Sequence, residues 1–122
     1  MPYNKNLQRI EKILKWIFKI QDVLSEFSVQ NLSDFEDNET CQLAISQLIT
    51  NIHELVKKVD DDFYTCVPKF IKLRRRIKLS RNIASHDYES LDIDIIYKLL
   101  QSLTHIEIIE ELEAIKNDIG SD

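Results

Sequence analysis

Turn-forming residues are almost missing from this chain. Glycine occurs once, at Gly120, and proline twice, at Pro2 and Pro68, in 122 residues. Hairpins and tight β-turns draw on those residues, so a fold built from many short strands is excluded. Leucine, isoleucine, lysine and glutamate are abundant instead, and all but isoleucine are strong helix formers. Apolar residues make up 43%, enough for a core. The length fits one compact domain, taken as residues 1–122.

Cysteine is scarce as well. Cys41 and Cys66 form no CxxC and match no zinc spacing. Both sit among apolar residues and read as buried thiols of a reducing compartment. Long hydrophobic runs are missing: nothing approaches the roughly 18 residues of a membrane span. Met1 to Lys19 is repeatedly broken by Asn, Lys, Arg and Glu, unlike a signal peptide. The expectation is a soluble cytoplasmic protein with no membrane contact. Metal ligands are poorly placed too. His53-Glu54 is not followed by the second histidine of HExxH, which leaves His53 as an expected surface histidine. Asp60-Asp61-Asp62 lacks the glycine and final glutamate of a calcium loop. No metal and no cofactor are expected.

Carboxylates are the last shortage, and it is local. Formal net charge is -5, yet Phe63 to His86 contains no Asp or Glu. Lys69, Lys72, Arg74, Arg75, Arg76, Lys78 and Arg81 all fall in that span. A basic stripe can bind a polyanion even on an acidic chain, although a solvated helix face has the same composition.

The apolar pattern predicts helices throughout. The first runs from about Asn4 to Phe27 on Leu7, Ile10, Leu14, Ile17 and Leu24, widened by Ile13, Trp16, Ile20, Val23 and Phe27. So wide a face predicts burial on two sides, by a core and by a partner. Ser33-Asp34-Phe35-Glu36 has the form of a capping box for a short turn of helix. A helix from about Asn38 to Val59 carries Cys41, Ile45, Leu48, Ile52, Leu55 and Val59. The next starts at Pro68, a favoured first position, with Phe70, Leu73, Ile77 and Ala84 inward and Leu79 outward. Asp92 reads as an N-cap before Ile93, Ile96, Leu99, Leu100 and Leu103. A break near Thr104-His105, capped by Thr104, precedes Ile108, Ile109, Leu112, Ile115 and Ile119. The expected fold is all-α: an antiparallel four-helix bundle plus a short C-terminal fifth helix.

Residues 81–88 read Arg81-Asn82-Ile83-Ala84-Ser85-His86-Asp87-Tyr88. An imidazole can take or give a proton near neutrality, and a guanidinium binds phosphate oxygens in a bidentate way. Together they supply much of what metal-independent RNA cleavage needs: a base for the 2′-OH and a cation for the charge developing at phosphorus. Five helical steps set Arg81 and His86 about 140° apart, so for the two to serve one site the helix must end near His86, or two copies must meet. Asn82 and His86, four apart, share a face.

This stretch resembles the R-x4-H-x-Y motif of the HepT-like branch of the HEPN superfamily, small all-α ribonuclease toxins paired with a nucleotidyltransferase antitoxin of the MntA type. The similarity covers nearly the whole chain: Leu7-Gln8-Arg9-Ile10 opening a long helix, Asp34-Phe35 followed by Asp37 and Thr40, Pro68 before the motif, and Asp92 after Tyr88. Departures occur where the family often has Gly-Glu-Ala in its second helix and glycines flanking the motif. Here His53-Glu54-Leu55, Lys78-Leu79-Ser80 and Glu89-Ser90 stand in those places. The resemblance implies a homodimer with the motifs at its interface, Arg81 and His86 as the catalytic pair, Asn82 supporting them, and Tyr88 as the tyrosine on which the antitoxin places AMP. Arg74, Arg75 and Lys78 become candidate RNA contacts. Two other readings remain: a non-catalytic HEPN module that binds a nucleotidyltransferase and presents substrate to it, and a plain helical interaction protein.

Overall fold

The computed structural model describes residues 5–59, Arg75 and residues 93–120. Among the described residues there are five helices and no strand: α1 (Lys5–Glu26), α2 (Leu32–Glu36), α3 (Glu39–Lys58), α4 (Ile93–Leu103) and α5 (Ile106–Gly120). The fold is all-α, as the lack of turn residues requires. The helix expected from Pro68 and the Asp92 cap lie outside the described residues.

Helix α1 is the spine. Ile10, Ile13, Ile17 and Ile20 have no exposure at all, and Leu14 and Val23 are nearly as deep. Full burial of such a side chain is worth about 1.5–3 kcal/mol. The stripe is wide because α1 packs on α3 along one side and on α5 along another. Both covers come from the same chain.

Helix α1 stops where Ser28 takes a left-handed turn, φ 56°. The Val29 N–H donates to the Leu24 carbonyl at 2.9 Å and the Ser28 N–H to Ser25 at 3.1 Å. That is a Schellman ending, closed by the half-buried pair Leu24 and Val29 against the core. Glycine normally fills this position, and here serine does.

The short α2 is capped two residues earlier than expected. Asn31, not Ser33, is its N-cap: its side chain accepts from the Asp34 N–H at 2.9 Å. The Asp34 carboxylate reaches back to the Gln30 N–H at 3.0 Å. Asparagine caps at least as well as serine, and the helix starts at Leu32, which leaves Ser33 inside the first turn. Phe35 then points wholly into the core and packs on Tyr97 of α4, ring centres 5.5 Å apart. Asn38 caps α3 through the Cys41 N–H at 2.9 Å. Gln42 reaches back to the Phe35 and Glu36 carbonyls at 2.8 and 3.1 Å, so α2 is clamped at both ends.

Arg9, near the start of α1, donates to the Lys58 carbonyl at the end of α3 and to Asn6 Oδ1 at 3.3 Å. The two long helices therefore run antiparallel. Ile96, Leu100 and Leu103 of α4 and Ile108, Ile109, Leu112 and Ile115 of α5 complete the core. The break between α4 and α5 falls at Thr104-His105, as expected, but the cap is different. Thr104 Oγ1 donates to the Leu100 carbonyl at 2.8 Å, so it closes α4. His105 caps α5, its Nδ1 accepting from the Glu107 N–H at 3.2 Å.

Candidate functional site

Arg81, Asn82, His86 and Tyr88 lie outside the described residues, as do Arg74 and Lys78. Arg75 alone of the candidate set is described: it is helical and exposed. What surrounds the segment is well defined. Residues 60–92 leave α3 after Val59, which is 3% exposed, and return at α4, whose Ile96 has no exposure. Helices α3 and α4 pack on each other and α2 packs on both. Val59 and Ile96, on either side of the motif segment, are both core residues.

Helix α3 buries more than its expected stripe. Cys41, Ile45, Leu48, Ile52 and Val59 are inside, as the periodicity predicts, and Leu55 is half-buried. A second line, Ser46, Ile49, His53 and Val56, is buried beside them. His53 is 2% exposed, so the surface histidine expected from the sequence is a core residue. The three-and-four spacing of 46, 49, 53 and 56 is the signal that could have found it. Serine and histidine conceal the line from an apolar pattern. Glu54, next in sequence, is exposed, so His53 and Glu54 face different surroundings and do not form one ligand pair.

Ser46 is 1% exposed, and its Oγ has no hydrogen-bond partner among the described residues. A buried unpaired hydroxyl costs about 1–3 kcal/mol. Cys41 is fully buried, and desolvation raises its thiol above the ordinary value. It is a packing residue and a poor nucleophile. Cys66 lies outside the described residues. Among the described residues no three or more His, Cys, Asp or Glu side chains gather as a metal site, and no helix is long and apolar enough to cross a membrane.

The cation, imidazole and phenol of residues 81–88 lie in the segment between Val59 and Ile93, outside the described residues.

The family model described as HepT-like: Ribonuclease HepT-like matches residues 4–117 of the chain. No curated protein and no solved structure matches the chain.

Proposed function

This chain belongs to the HepT-like ribonuclease family of the HEPN superfamily, and we propose that it is the toxin of a toxin–antitoxin pair, a metal-independent endoribonuclease held in check by a nucleotidyltransferase of the MntA type. The reading is carried by one observation: the family match spans residues 4–117, and Arg81, His86 and Tyr88 fall within it at R-x4-H-x-Y spacing.

In this reading His86 moves the proton of the 2′-OH or of the leaving 5′-oxygen. Arg81 holds the phosphate and stabilises the charge that builds up on it. Asn82 shares a helical face with His86 and orients its ring. A homodimer with the two motifs at its interface brings Arg81 of one copy towards His86 of the other, which answers their separation of about 140° on one helix. Arg74, Arg75 and Lys78 guide the RNA backbone, and the exposure of Arg75 suits that role. The antitoxin transfers AMP from ATP to the Tyr88 hydroxyl: the phenol oxygen attacks the α-phosphorus, pyrophosphate leaves, and the phenol proton is released. The adenylate then sets a negative charge two residues from His86 and competes with RNA phosphate for Arg81.

The test is cleavage of labelled RNA by purified protein. His86→Ala should lose about 10²–10⁴-fold in rate, the usual contribution of a general acid–base group, and Arg81→Ala should fall similarly. Lys69→Ala or Lys72→Ala should weaken binding modestly and flatten its salt dependence. Incubation with the cognate transferase and ATP should add one AMP, which mass spectrometry places on Tyr88. A His86→Ala protein that cleaves at the wild-type rate removes the catalytic reading. The non-catalytic module that presents substrate to the transferase then stands in its place.

A further inference from the structure

The cleft between α1 and α5 holds about 730 Å³. Its apolar part comprises Leu14, Trp16 and Phe18. Phe18 stands 40% exposed, among the most exposed large apolar side chains of the described residues. Six charged groups rim it: Glu11, Lys15, Lys19, Asp22, Glu113 and Lys116. Three are acids and three are bases.

None of the six makes an ion pair among the described residues. Glu11 and Lys15 stand one turn apart, in the order that favours pairing. Yet the Lys15 ammonium lies over the Trp16 ring, 5.8 Å from its centre. An apolar floor with a balanced, unpaired charge rim is unsuited to a polyanion, which would meet three carboxylates. It suits a surface of the same composition.

From this we propose that the α1–α5 cleft is a two-fold contact between copies of this chain. Lys15 and Asp22 sit two turns apart on one exposed face, equidistant from the Phe18–Lys19 bond. An α1 helix laid antiparallel on its own copy about an axis at that bond places Lys15 of each copy opposite Asp22 of the other. Both ion pairs form at once, as an isologous contact requires. The same axis sets Phe18 of each copy opposite Lys19 of the other, so both rings leave water at the centre of the contact. Glu11 and Glu26 come opposite each other only at the outer ends, where crossed helices diverge. This face is built from α1 and α5, so it is separate from a contact made by the motif. A chain using both would assemble beyond a dimer. The contact does not depend on the cleavage chemistry.

The experiment is the solution mass of the full chain by light scattering at high micromolar concentration, with circular dichroism on each variant. Phe18→Glu, Lys15→Glu and Asp22→Lys should each halve the mass of the wild-type assembly while keeping full helix content. All three positions are exposed, so folding is not at risk. The double reversal Lys15→Glu with Asp22→Lys should restore the wild-type mass, because each copy again offers opposite charges in the same places. Equal masses for wild type and Phe18→Glu overturn the proposal. So does a double reversal that stays dissociated, which would mean that these two residues do not face each other across a two-fold axis. Loss of RNA cleavage is scored separately in the same preparations: a variant that dissociates yet still cleaves keeps this contact and the proposed activity distinct.

Discussion

Replacing Ser28 by glycine should stabilise this protein. Ser28 holds φ 56° at the end of α1. A side chain there brings Cβ against the following carbonyl, at a cost of about 1–2 kcal/mol relative to glycine. Glycine also loses more freedom on folding, and the unfolded chain returns about 0.4–1 kcal/mol of the gain. The Ser28 side chain is exposed, so little packing is lost. The hydrogen bonds from Ser28 and Val29 to Ser25 and Leu24 are made by the backbone and persist. The net expectation is a gain of about 0.5–1 kcal/mol, or about 2–5 °C in Tm for a domain of this size. Thermal and urea unfolding monitored at 222 nm read it directly. Ser28→Val is the companion, since a β-branched residue is worst in this region, and it should lose at least 1 kcal/mol or so. If Ser28→Gly is destabilising, the serine side chain contributes something that its exposed, left-handed position does not explain, and the strain argument is wrong.

Three other outcomes follow from the same physics. Ser46→Ala should be neutral or stabilising by up to about 1 kcal/mol in urea unfolding, because it deletes a buried hydroxyl without a partner among the described residues. Ile52→Ala, two turns along the same helix and fully buried, should instead cost about 2–5 kcal/mol. His105→Ala should lose about 0.5–1 kcal/mol with the cap on the Glu107 N–H, while His105→Asp should recover or exceed wild type by adding a carboxylate at a helix N-terminus.

Most of the fold could be read from apolar spacing. Core stripes repeat at helical period, and they place α1 and α3 within a residue of their observed ends. The break before α5 was visible because Thr104-His105 interrupts two such stripes. Caps were harder. Asn31, Ser33 and Asp34 can all cap, and only the backbone at Asn31, φ -152°, decides among them. Thr104 and His105 present the same choice: the threonine hydroxyl folds back onto α4, which leaves the imidazole to start α5. His53 is the exception: its residue type points to the surface, while its spacing to Ile49 and Val56 sets it inside. The candidate site was legible differently. A cation, an imidazole and a phenol at R-x4-H-x-Y spacing carry a chemical meaning that periodicity does not supply. The family match over residues 4–117 agrees with that resemblance at the level of the whole chain. The roles of the individual residues rest on acid–base chemistry and on the resemblance.

The most direct test of the account is the chemistry of the RNA end that the purified protein leaves in the presence of EDTA. A 2′-OH attack assisted by His86 and Arg81 predicts cleavage without added metal and a 2′,3′-cyclic phosphate on the upstream fragment, with a free 5′-hydroxyl downstream. Cleavage that appears only with added Mg²⁺, or fragments that carry a 5′-phosphate, would contradict it.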